Sequence, residues 1–145
     1  MATADLAPVT VESRLPWFRE FDPGHRPLWV FCDNEAGPAL AWLSLRSFYG
    51  RPAYHATAEV AVYTAAASRR RGLARTLLGH ALSAAPSLGL STLLAFVFGH
   101  NAPSIALFRD HGFMLWGQLP GVAELDGIER DLAILGLRLE PPPAA

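Results

Sequence analysis

The stretch Thr64 to Arg75, TAAASRRRGLAR, does most to narrow what this chain can fold into. Before it, Tyr54 to Thr64 reads as a strand, with Thr57, Val60, Val62 and Tyr63 supplying β-branched and aromatic residues. After it, Leu73, Leu77, Leu78 and Leu82 fall at helical spacing over Leu73 to Ala85, and Pro86 closes the helix. A strand that turns into a helix leaves several backbone N–H groups unsatisfied, with the positive end of the helix dipole behind them. Gly72 and Ala74 let a bulky anion approach that backbone, and Arg69, Arg70 and Arg71 add positive charge at the same end. Three arginines oppose the dipole, a local conflict that a bound pyrophosphate would relieve. A solvated basic turn is the alternative that these residues alone leave open.

The neighbouring segments set that junction in a mixed α/β domain. Val11 to Phe21 is expected to form a short helix carrying Trp17, Phe18 and Phe21, interrupted by Pro16. Leu28 to Cys32 and Ala39 to Ser47 read as a hairpin around the turn signals of Asp33 to Pro38. Thr92 to Phe98 is apolar enough to be buried on both faces. Asn101 to His111 follows as a helix with Pro103 near its first turn and Gly112 ending it. Phe113 to Gln118 and Asp131 to Leu139 read as two strands joined by a Gly-containing loop, with Arg130 and Asp131 as an ion-pair or dimer-contact candidate. The order implies one mixed sheet flanked by helices. One domain over 9–140 is expected, with flexible termini at 1–8 and 141–145.

Composition removes several function classes. With 12 basic and 13 acidic residues the net charge is −1, which gives no general drive toward nucleic acid or an anionic membrane. Every basic residue is Arg, so lysine Schiff-base chemistry is unavailable. No apolar run reaches the roughly 18 residues that span a bilayer. The single cysteine, Cys32, can make neither an internal disulfide nor a multi-thiolate metal site, and with an N-terminus unlike a secretory signal it points to the cytoplasm. His25, His80, His100 and His111 lack ligand spacing, so no metal is expected. The four tryptophans are read as core or interface anchors.

Two motifs in order carry a resemblance. Arg69-x-x-Gly72-x-Ala74 after the strand Glu59 to Thr64 resembles the acetyl-CoA pyrophosphate loop of the GCN5-related N-acetyltransferase superfamily. Asn101-x-x-Ser104-x-x-Leu107-Phe108-x-x-x-Gly112-Phe113 resembles the helix and strand across its cofactor cleft. More narrowly, RPAYHATAEVAVYT (Arg51 to Thr64) and NAPSIALFRDHGF (Asn101 to Phe113) are similar to the phosphinothricin and methionine sulfoximine acetyltransferase branch.

The resemblance implies a mostly antiparallel mixed sheet with flanking helices and an acetyl-CoA-dependent transfer to the primary amine of a small amino-acid-like acceptor. It implies that the strand backbone at Val62, Tyr63 and Thr64 pairs with the pantetheine arm, and that the N–H groups of Arg70, Arg71, Gly72, Leu73, Ala74 and Arg75 hold the pyrophosphate. Asn101 would hydrogen-bond the cofactor. Glu59 would take the proton of the incoming ammonium, since a partly buried carboxylate suits that task; His55 is the weaker candidate. Tyr49, Gly50 and Arg51 would lie at the substrate end together with Glu59, Val60 and Ala61, and Arg51 can grip a carboxylate in bidentate fashion. A homodimer is the family-level expectation.

Two departures from the family pattern bear on this reading. Phe108 stands where many members place a Tyr, and the named branch a His, able to protonate the departing thiolate. In front of Leu28 only about 27 residues remain for the strand and helix with which the family begins, so that part is expected to be reduced. A peptide or protein acceptor, or an acyl-CoA-binding module without turnover, are the readings these departures would favour.

Overall fold

Twelve-residue regularity in the leucines after Gly72 does become a helix, and the elements around it follow the expected order. The structure, a computed structural model, describes residues 4–140. Residues 1–3 and the Pro-Ala tail at 141–145 lie outside the described residues. Helix α1 (Val11–Arg19) is capped by Thr10, whose hydroxyl oxygen accepts from the Ser13 N–H at 3.1 Å. Pro16 lies inside α1 and does not interrupt it. The helix buries no residue of its own; it is held from outside, by the edge of the Trp17 ring against Trp42 at 5.4 Å.

Strands β1 (Leu28–Phe31) and β2 (Ala41–Ser47) form the expected antiparallel hairpin. Strand β3 (Thr57–Thr64) starts later than Tyr54, because Pro52 opens a short 3-10 turn over Pro52–Tyr54. Helix α2 (Leu73–Ala84) runs on into a 3-10 turn, Ala85–Leu88, that contains Pro86. Strand β4 (Thr92–Phe98) is buried along nearly its whole length, as its composition requires. Helix α3 (Ala102–Asp110) ends before Gly112, whose φ of +90° only glycine adopts easily.

The largest difference from the sequence reading lies in the last hairpin. Strands β5 (Met114–Leu125) and β6 (Ile128–Arg138) extend through the region expected to be a loop. Asp126 and Gly127, both at positive φ (53° and 74°), form the two-residue connection that matches the twist of paired strands. Bulges between Leu115 and Gly117, and between Leu119 and Ala123, interrupt the β5 register. They absorb Trp116 and the Pro120-Gly121 pair that mimic a loop in the sequence. Asp131 makes no ion pair with Arg130. Its carboxylate instead accepts from the Gly121 N–H at 2.9 Å and the Gln118 amide at 2.8 Å, and pins the bulge.

Among the described residues six strands form one sheet in the order β1-β2-β3-β4-β6-β5, antiparallel except for β3 beside β4. One face carries the core. Leu73, Leu77, Leu78 and Ala81 of α2 and Phe108 of α3 pack on Leu43, Leu45, Val60, Leu93 and Leu135. Each fully buried leucine contributes about 2 kcal/mol of apolar burial, which is what fixes α2 against the sheet. The opposite face carries Trp42, Ser44 and Arg46 of β2 and Glu59, Ala61 and Tyr63 of β3, by the alternation of the pleat. Among the described residues no helix is long and apolar enough to cross a membrane.

Candidate active site

Strands β3 and β4 pair only through Thr57, Ala58 and Glu59 against Thr92, Leu93 and Leu94. Beyond those residues they part. The other edge of β3 stays paired to β2 as far as Thr64, and the other edge of β4 stays paired to β6 as far as Phe98. Val60 to Thr64 and Ala95 to Phe98 therefore face one another across a gap, each with one edge that has no strand partner among the described residues. A backbone edge of this kind takes up an extended, amide-bearing molecule as it would another strand. Val62, Tyr63 and Thr64, the expected pantetheine contacts, lie along it. Tyr63 is held by stacking on Trp42, 5.8 Å between centroids.

The chain leaves that gap through Ala65 and the 3-10 turn Ala66–Ser68 into the loop before α2. Arg70 at φ +64° and Gly72 at φ +75° take the left-handed conformation there. Among the described residues nothing accepts a hydrogen bond from the backbone N–H groups of Arg69 through Arg75; the first such bond of α2 runs from Thr76 to the Gly72 carbonyl at 3.0 Å. A row of unpaired donors at the positive end of a twelve-residue helix is a fitting cradle for the doubly charged pyrophosphate of a coenzyme. No acidic residue occupies the first turn of α2 to compete for it.

The arginines of the loop divide into two pairs. Arg71 bonds Asp33 in the β1–β2 turn at 3.3 Å, and Arg75 pairs with Asp110 at the end of α3. Exposed pairs of this kind are worth about 0–1 kcal/mol each, so their effect is mainly to orient the loop between its neighbours. Arg69 and Arg70 are exposed and make no ion pair among the described residues. Leu73 is buried by its side chain and offers the site only its backbone.

Asn101 sits across the gap as the N-cap of α3. Its Oδ1 accepts from the Ser104 N–H at 3.3 Å, and its Nδ2 has no partner among the described residues, so the amide is oriented by the cap with its donor end spare. Phe108 lies in the core at 2% exposure, edge-on to Phe113 at 5.0 Å. It brings no proton donor to the gap.

Glu59 is the last residue of β3 to pair with β4, and it is half-buried on the face away from α2. Its carboxylate has no hydrogen bond or ion pair among the described residues. Ala61 shares that face, whereas Val60 is 2% exposed and points into the core, so only its backbone can reach an acceptor. Tyr49, Gly50 and Arg51 lie in the β2–β3 connection, tied to the start of β3 by the Phe48 N–H on the Thr57 carbonyl. Tyr49 is 77% exposed at φ +54°, and its ring contacts Phe48 and Tyr54. The ring Nδ1 of His55 is 2.9 Å from the Pro52 carbonyl, a bond that serves the turn.

Neither Arg46 nor Glu20 stands out in the sequence. Arg46 stands directly opposite Glu59 in the β2–β3 register and forms an ion pair with Glu20, the C-cap of α1, at 3.0 Å. The alternation of β2 places Arg46 on the Glu59 face, the one signal that could have marked it.

Residues 4–113 match the Acetyltransferase (GNAT) family. The chain is 51% identical over 142 residues to a Bacillus subtilis protein named "Putative phosphinothricin acetyltransferase YwnH", covering 96% of this chain and 84% of that one. It is 32% identical over 138 residues to the L-methionine sulfoximine/L-methionine sulfone acetyltransferase of Pseudomonas aeruginosa, covering 95% of this chain and 80% of that one. Among solved structures, that of yncA from Salmonella typhimurium with its cofactor acetyl-CoA superimposes with a TM-score of 0.87 at 27% identity, covering 99% of this chain and 82% of the other.

Proposed function

The chain belongs to the acetyltransferase (GNAT) family, and from that premise we propose that its domain, residues 9–140, transfers an acetyl group directly to the primary amine of a small amino-acid-like acceptor. It is an N-acetyltransferase of the phosphinothricin and methionine sulfoximine type, and its cosubstrate is acetyl-CoA. Both compounds in the relatives' names are amino-acid analogues with a primary α-amine, which supports this acceptor class.

The unpartnered N–H groups from Arg70 to Arg75 hold the pyrophosphate, the free edge at Val62 to Thr64 holds the pantetheine arm, and the spare donor of Asn101 steadies it. When bound, acetyl-CoA supplies the activated acetyl group. Arg51 grips the carboxylate of the acceptor, Tyr49 and Gly50 shape that end of the site, and Ala61 with the Val60 backbone lines the approach. Glu59 anchors the incoming ammonium and accepts its proton, directly or through a water, so that the amine presents a lone pair. Phe108 is not needed as an acid, because a thiolate is a tolerable leaving group near neutral pH. The same reading places the protein in the cytoplasm, as a homodimer; the lone Cys32 accords with a reducing compartment.

The observation that carries the base assignment is the position of Glu59: uncommitted, half-buried, and at the point where β3 and β4 part. Release of free thiol from acetyl-CoA in the presence of methionine sulfoximine or phosphinothricin tests it. Wild-type protein should turn over, and Glu59→Gln should lose about a hundredfold or more in kcat while binding acetyl-CoA as before. Full activity in Glu59→Gln would remove the base assignment, and no thiol release with any amino-acid analogue would remove the acceptor class.

A further inference from the structure

Arg46 and Glu59 face each other on adjacent antiparallel strands, so their side chains leave the same face of the sheet about 5 Å apart at Cβ. Opposite charges so placed ordinarily pair across the strands. Here they do not. The guanidinium of Arg46 instead bonds the Glu20 carboxylate at 3.0 Å, and Glu59 has no partner among the described residues. Arg26, which shares the cleft with Arg46 and Glu20, is already committed: it donates to the Ser47 hydroxyl at 3.0 Å and to the carbonyls of His25 and His55, both at 2.8 Å. Arg46 is the cation that the β2–β3 register sets directly opposite Glu59. The cleft where it meets Glu20 is lined by Phe21, Arg26, Leu45 and Ser47.

We infer that Glu20 is a positioning residue that draws the Arg46 guanidinium away from Glu59 and so leaves the Glu59 carboxylate available to the acceptor amine. The inference rests on the reading of Glu59 as the base. A carboxylate locked in a salt bridge holds its lone pairs on the guanidinium and is a poor acceptor for an ammonium proton. Glu20 ends α1, a helix with no buried residue, so the docking of α1 and the freedom of Glu59 become one event. Removing Glu20 should release Arg46 to its cross-strand neighbour, and removing Arg46 as well should undo the harm.

The test is a double-variant comparison by free-thiol release, with acetyl-CoA and methionine sulfoximine. Glu20→Gln should lower kcat about tenfold with the KM for acetyl-CoA unchanged, and Glu20→Gln combined with Arg46→Gln should return to within about twofold of wild type. A crystal structure of Glu20→Gln should place Arg46 within about 4 Å of the Glu59 carboxylate. Wild-type kcat in Glu20→Gln, a double variant as slow as the single one, or Arg46 remaining apart from Glu59 in that crystal would each overturn the inference while leaving Glu59 as base. An active Glu59→Gln would overturn the base reading itself, and this inference with it.

Discussion

Gly72 adopts φ +75° and has open space where a side chain would begin, so a substitution there changes charge and backbone preference without a clash inside the protein. Gly72→Glu puts a carboxylate among the donors from Arg70 to Arg75, where it competes with the cofactor phosphates. Its affinity for acetyl-CoA should fall more than about tenfold by calorimetry, whereas Gly72→Asn, which tolerates the left-handed conformation, should bind within a few-fold of wild type. Equal losses in both variants would assign the effect to the backbone and not to the anion site. Residues whose role follows from their neighbours in the chain, such as Gly72, Asn101 and Gly112, were legible because caps and turns are local. Arg46, Asp33 and Asp110 were not: their partners lie 26, 38 and 35 positions away, and no short-range pattern announces such a pair.

Among the elements, the β5–β6 hairpin shows how a readable signal can be masked. Asp126-Gly127 is a strong hairpin dipeptide, yet Pro120 and Gly121 a few residues earlier suggest that β5 has already ended. The structure resolves the conflict by bulging the edge strand, where a proline costs little, and by tying the bulge to Asp131. The Gly121 N–H, and after it the Gln118 amide, hold the Asp131 carboxyl below the usual aspartate range. With the folded value below the unfolded one, the unfolded chain binds more protons in acid, so this contribution is present above the ordinary aspartate range and is lost as pH falls through the folded value. Asp131→Asn should therefore lower the melting temperature near pH 7, and the difference from wild type should shrink as the pH falls through and below the usual aspartate range. A difference that stays constant over that range would show that the ionised carboxylate is not what holds the bulge.

In the molecule as a whole, the order of strands and helices and the mixed sheet could be read from periodicity, because each amphipathic segment has one place to bury its apolar face. The parting of β3 from β4 could not. Nothing in Val60 to Thr64 distinguishes an edge that finds a strand partner from one that stays open, since backbone groups carry the same donors and acceptors under any side chain. That gap, with the loop before α2 at its end, is the feature on which the functional account stands. A crystal structure of the protein with acetyl-CoA tests it most directly. The pantetheine arm should pair with the β3 edge at Val62 to Thr64, and the pyrophosphate oxygens should lie within hydrogen-bond distance of the N–H groups of Arg70 to Arg75; a cofactor bound elsewhere, with that gap and loop untouched, would overturn both assignments.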